Sequence, residues 1–157
     1  MTLDDLVARE AIRDTMAKYT TSGDRLKADD LAACFTEDGI IESEGVPAEQ
    51  LFRYEGRAAI LAWQNRWREP SAGPITRATF ARHHLSTSKI DLIGPETARA
   101  RTYWVAWTDI GPDHAGYYVD TFRKVGEDWL IAHRRIRLDW ESPQTLFGGA
   151  VTNTGTR

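Results

Sequence analysis

The chain has 157 residues and a formal net charge of −3, with Lys and Arg interspersed among Asp and Glu. That length suits one domain built on a single core and is too short for two. A surface with no basic face excludes the gripping of a nucleic-acid backbone, and the lone cysteine excludes an internal disulfide.

The N-terminus opens with Thr2, Asp4 and Asp5, not with a basic region before an apolar run, and no apolar stretch approaches bilayer length. A cytoplasmic protein without membrane contact is expected. Leu3, Leu6, Val7, Ile12, Met16 and Tyr19 recur at three- and four-residue steps, which predicts a helix capped by Thr2 and stopped by Ser22-Gly23. A second helix fits Lys27 to Phe35, with Leu31, Cys34 and Phe35 on one side, so Cys34 reads as buried filler. Thr36-Glu37-Asp38-Gly39 reads as a turn into a strand at Ile40-Ile41. The stretch from Gly45 to Tyr54 has no clear period. A third helix fits Arg57 to Arg68, with Ile60, Trp63, Gln64 and Trp67 sharing a face and Pro70-Ser71-Ala72-Gly73-Pro74 ending it.

From Thr79 the pattern turns to strands: Thr79 to Ile93, Thr97 to Asp109, Gly116 to Val125, and Trp129 to about Trp140. Gly94-Pro95-Glu96, Gly111-Pro112-Asp113 and Gly126-Glu127-Asp128 are the expected breaks. Helices followed by consecutive strands define an α+β domain with helices packed on one face of a curved antiparallel sheet. The domain is expected to span 1–142. Residues 143–157, with Gly148, Gly149, Thr152 and Asn153, are expected to form a loosely held tail.

Several landmarks then occur in order: Tyr19-Thr20-Thr21-Ser22-Gly23-Asp24, Phe35-Thr36-Glu37-Asp38-Gly39, Arg82-His83-His84-Leu85-Ser86, Gly116-Tyr117-Tyr118-Val119-Asp120, and Asp128-Trp129-Leu130-Ile131. With them the chain resembles the SnoaL-like family of the nuclear-transport-factor-2-like superfamily, from Leu3 to about Trp140. The resemblance implies a cystatin-like conical barrel whose strongly curved antiparallel sheet and N-terminal helices enclose a pocket. It also implies kinship with scytalone dehydratase, bile-acid dehydratase and hexachlorocyclohexane dehydrochlorinase, which use an Asp/His pair for eliminations. On that resemblance the aspartate falls on Asp24, the histidine on His83, a tyrosine on Tyr19 and a last-strand arginine on Arg134. Neighbouring strand residues face opposite ways, so only one of His83 and His84 enters the pocket unless a bulge intervenes. Counting back from Ile90 and Leu92 gives His84 their parity, whereas the resemblance favours His83.

The chemistry of such residues is general. A carboxylate beside a neutral imidazole fixes its tautomer and stabilises the imidazolium formed when it takes a proton, and Tyr19 could donate to a departing oxygen or a developing oxyanion. Arg134, if buried, could hold a carboxylate, a carbonyl or Asp24 itself. This points to a cofactor-independent lyase or isomerase, dehydratase-like, with no metal: the four histidines have no zinc-like spacing. Abundant aromatics, with Trp63, Trp67, Trp104 and Tyr118 as pocket candidates, fit a bulky apolar cyclic ligand of polyketide or steroid-like character. Tyr103, Val105 and Trp107 alternate with Trp104 and Ala106, so aromatics lie on both faces of one strand and a homo-oligomer, dimer or trimer, is expected. Plainer readings stand beside these. Asp24 could hold a turn, the histidines could be ordinary strand residues, and Arg134 could belong to a solvated basic face. Ranked behind the enzyme are a non-catalytic small-molecule-binding protein and then an accessory subunit like the small subunit of ring-hydroxylating dioxygenases.

Overall fold

The computed structural model describes residues 1–68 and 77–147; the expected helix stop at 70–74 and the tail residues Gly148, Gly149, Thr152 and Asn153 lie outside them. Three helices, α1 (Leu3–Asp24), α2 (Ala28–Ala32) and α3 (Arg57–Asn65), pack on six strands: β1 (Phe35–Glu44), β2 (Arg53–Glu55), β3 (Arg82–Gly94), β4 (Thr97–Thr108), β5 (Gly111–Val125) and β6 (Asp128–Glu141). The strand order is β2-β1-β6-β5-β4-β3. The expected α+β class holds. The sheet, however, is mixed and open: β1 runs parallel to β6, and the sheet curls like a cone without closing into a barrel.

Helix α1 begins as expected, with Thr2 and Asp5 exchanging side-chain and backbone hydrogen bonds in a capping box. Its buried face starts only at Ile12 and continues through Met16, Tyr19 and Thr20, while Leu3, Leu6 and Val7 stay exposed. The helix runs one residue past the expected stop at Ser22-Gly23, to Asp24. A Cβ on Gly23 would meet only Leu31 Cδ1, at an ordinary contact distance of 3.4 Å. Termination comes later, where Leu26 N donates to Gly23 O and Lys27 N to Ser22 O, a Schellman closure with Leu26 at φ 54°.

Helix α2 is shorter than expected, and Phe35 already belongs to β1. Phe35 pairs with Ile131 and Ile40 with His133, so the expected turn at Thr36–Gly39 is an irregularity within the strand. The stretch from Gly45 to Tyr54 resolves into a 3₁₀ turn, Ala48–Gln50, and the edge strand β2. Gly111-Pro112-Asp113 is no break: β5 starts at Gly111.

Strand β4 alternates without fault, burying Ala98, Ala100, Thr102, Trp104, Ala106 and Thr108. Its neighbours do not. The registers require two extra residues on β3, one between Leu85 and Ser88 and one at Ile93, one on β5 at Asp113, and two on β6, at Ala132 and at Asp139. Such bulges bend a strand and re-aim the side chains beyond them. Gly116 lies beside the bulge at Asp139, where a Cβ would come 1.9 Å from the Arg137 carbonyl oxygen, so only glycine permits that approach. The core lies between the helices and the concave face, with Phe35, Ile41, Ile60, Phe122 and Ile131 fully buried. Each such side chain contributes about 1.5–3 kcal/mol.

Candidate active site

Asp24 is the last residue of α1. A carboxylate at the negative end of a helix dipole is electrostatically misplaced by about 0.3–1 kcal/mol, so its partners must offset that cost. They do: His83 N donates to Asp24 Oδ2 at 2.9 Å, and His83 Nδ1 lies 2.6 Å from Asp24 Oδ1. One residue thus engages both carboxylate oxygens, and the Asp24 side chain is only 6% exposed. Facing an acceptor-only carboxylate, Nδ1 carries a proton, so in the neutral form of the ring the lone pair is on Nε2.

The extra residue between Leu85 and Ser88 settles which histidine faces inward. It switches the parity of β3, so His83 and Leu85 share the inner face with Ser88 and Ile90. His84 points the other way, its ring 6.3 Å from that of Trp107.

Tyr19 is buried at the cavity wall, edge-on to Phe35 and Tyr118. Burial raises its hydroxyl pKa above the ordinary value, as it does for Tyr118, so both remain proton donors. Arg134 is completely buried, because the bulge at Ala132 turns both Ile131 and Arg134 inward. It is not among the residues lining the cavity. Its Nε and Nη2 donate to Asp120 Oδ1 and Oδ2 at 2.9 and 2.7 Å, and its guanidinium lies 4.0 Å from the Tyr19 ring centre and 4.1 Å from that of Tyr118. Arg134 therefore holds Asp120 instead of Asp24 and braces the two tyrosines by cation–π contact. Burial opposes its charge, but Asp120 outweighs burial and raises its pKa.

The cavity measures about 450 Å³, within the range of small-molecule sites. Trp63, Trp67, Trp104 and Tyr118 line it together with Tyr19, Asp24 and His83. The other aromatics divide: Phe122 and Trp129 fill the core, while Tyr103 and Trp107 are 47% and 44% exposed on the opposite face. Cys34 is buried, with its thiol pKa pushed up to about 11 by desolvation. Among the described residues no three His, Cys, Asp or Glu side chains converge as metal ligands, and no helix is long and apolar enough to cross a membrane.

A second Asp–His pair shares the cavity. His114 lines it, with Nδ1 2.8 Å from Asp113 Oδ1 and its ring centre 5.9 Å from that of His83. Sequence reasoning missed it because Gly111-Pro112-Asp113 looked like a break and put His114 in a loop. The signal was its parity, shared with Gly116, Tyr118 and Asp120 on the buried face of β5. Asp113 is the bulge residue and is fully buried; besides His114 it accepts from Thr108 Oγ1, Thr145 Oγ1 and Leu146 N. The described part of the expected tail, through Phe147, is thus pinned back onto the sheet, and Phe147 lines the cavity beside Trp67 and His114. Burial would raise the Asp113 pKa, but these hydrogen bonds hold it below the ordinary carboxyl value. Burial and the neighbouring His83 lower the pKa of His114, against the pull of Asp113.

A curled sheet with helices over its concave face and an aromatic cavity between them defines a cystatin-like, nuclear-transport-factor-2-like protein. Residues 4–135 match the SnoaL-like domain, and the chain belongs to that family. No curated protein matches the sequence. Among solved structures, the chain is similar to a provisionally named scytalone dehydratase from Novosphingobium aromaticivorans, at 26% identity and TM-score 0.73, over 97% of this chain and 98% of that one. A nuclear-transport-factor-2-like protein with a cystatin-like fold from the same organism matches at 26% identity and TM-score 0.71, over 87% and 85%. The hexachlorocyclohexane dehydrochlorinase LinA-type3 of Novosphingobium barchaimii shares the fold at 17% identity and TM-score 0.72, over 94% and 97%.

Proposed function

We propose that the protein is a cofactor-independent lyase or isomerase in which the Asp24–His83 pair removes a proton from a bulky apolar cyclic substrate. The observation that carries this reading is the two-point clamp of His83 by Asp24 at the wall of an apolar cavity. His83 Nε2 takes the proton from a carbon next to a carbonyl or a leaving group, and Asp24 stabilises the imidazolium. Tyr19, kept protonated by burial, donates to the departing or developing oxygen anion. Arg134 acts at one remove, fixing the Tyr19 and Tyr118 rings. Family membership and the likeness to dehydratase and dehydrochlorinase structures support the class of reaction.

The test follows hydrogen–deuterium exchange at the acidic C–H of 2-tetralone in D₂O by NMR, alongside loss of water from scytalone. Catalysed exchange is the expected result. A cavity that binds the ketone without accelerating exchange would instead make the protein a ligand carrier.

The exposed Tyr103 and Trp107 support a second copy covering the outer face of the sheet. Light scattering is expected to give at least twice the chain mass, and Trp107→Lys to lower it; a monomer at micromolar concentration would refute the contact.

A further inference from the structure

His114 is a partly buried imidazole paired with Asp113, and the proton-removal step above does not use it. Its position follows from register: His83 pairs with Ala106, and Ala106 pairs with His114, so the three lie in a row across β3, β4 and β5 on the inner face. The small side chain between them lets the two imidazoles lean together to 5.9 Å, over Trp104, whose ring centre is 5.6 Å from that of His114.

The direction in which His114 can hydrogen-bond is set by Asp113. An ionised carboxylate has about four acceptor sites. Three are taken by Thr108 Oγ1 at 3.1 Å, Thr145 Oγ1 at 2.5 Å and Leu146 N at 2.9 Å, and the fourth contact is His114 Nδ1. A lone pair on Nδ1 would face the carboxylate oxygen and repel it, so Nδ1 bears the proton. Nε2 is then an acceptor, without a hydrogen-bond partner among the described residues, on a ring that lines an apolar cavity. Charged and titratable groups around the ring are Asp113 on its own strand, His83 on β3 and Glu141, its register partner on β6. Burial and His83 together keep the ring neutral more strongly than Asp113 favours its charge.

We propose that His114 is the specificity determinant of this cavity: its Nε2 accepts a hydrogen bond from a hydroxyl of the ligand, so the protein selects apolar cyclic alcohols or phenols over their hydroxyl-free counterparts. The proposal deepens the functional reading and rests on its assignment of the cavity to the ligand, but not on turnover. An apolar ligand would strip water from Nε2 and leave the acceptor unsatisfied, whereas an O–H would replace the water. That difference corresponds to about tenfold or more in affinity.

The probes are 2-naphthol and 2-methoxynaphthalene, which share the ring system and the oxygen while only the first donates. Wild-type protein is expected to bind 2-naphthol at least about tenfold more tightly. His114→Phe should bring the two within about twofold, whereas His83→Ala should keep the preference. Loss of the preference in His83→Ala with its survival in His114→Phe would overturn the proposal, because His83 would then be reading the hydroxyl. Long-range ¹H–¹⁵N NMR on wild-type protein gives a second reading that needs no folded variant. Nε2 of His114 should resonate as an unprotonated nitrogen at neutral pH and move with 2-naphthol but not with the ether. A protonated Nε2, equal responses to both probes or no response to either would refute it. Absence of catalysed exchange would sink the enzymatic reading and leave this result standing.

Discussion

The two Asp–His pairs in the cavity are alike in contact distance and unlike in construction. Asp24 comes from a helix end fifty-nine residues before its histidine and spends both oxygens on that one residue. Asp113 is adjacent to its histidine, sits on a bulge and shares its oxygens among β4, β5 and the segment after β6. A carboxylate devoted to one ring suits a cycle in which that ring gains and loses a proton. One bound into several elements suits a ring whose state should stay fixed. The first pair therefore reads as chemistry, and the second as orientation and structure.

Substitutions at the two carboxylates should separate these roles. Asp24→Asn removes the anion that stabilises the imidazolium, and 2-tetralone exchange is expected to fall about 10²- to 10⁴-fold with the far-ultraviolet dichroism unchanged. Asp120→Asn belongs to the structural side: it leaves the Arg134 charge buried and unpaired, and urea denaturation should show a loss of about 3–5 kcal/mol. Asp113→Asn should cost about 1–3 kcal/mol, since one amide cannot satisfy four donors. A larger loss of exchange than of stability in Asp113→Asn would erase the contrast.

The smallest effect is the pH dependence of stability. The Asp113 pKa lies below the unfolded value of 3.8, so its contribution is complete above that value and is lost as pH falls through 3.8 to the folded pKa. His114 also has a lowered pKa, and its neutral folded form is favoured. Its contribution is full above the unfolded value of 6.5 and declines as pH falls from there to the folded pKa. Urea midpoints should therefore drop on acidification in two steps. His114→Phe should remove the upper step, and Asp113→Asn should shrink the lower one.

Sequence patterning was legible where the backbone is regular. In β4 each side chain falls on the face its parity assigns, which puts Trp104 on one face and Tyr103 and Trp107 on the other, as the alternation implied. Parity fails across a bulge, which leaves no mark in hydrophobic periodicity. Counting from Ile90 gives His84 its parity but does not settle which histidine faces inward, and only the resemblance favoured His83. Asp113 was hidden for the same reason, inside a Gly-Pro-Asp string that serves a strand start as readily as a turn. The parallel pairing of β1 with β6 was out of reach, since alternation within a strand carries no information about its neighbour's direction.

The central claim is that Asp24 and His83 act as one unit. Its most direct test is the rate of 2-tetralone exchange in Asp24→Asn, His83→Ala and the double variant. Groups that share one function lose it once, so the double variant is expected to be no slower than the slower single variant. Losses that multiply, or singles that exchange as fast as the unaltered protein, would contradict the account.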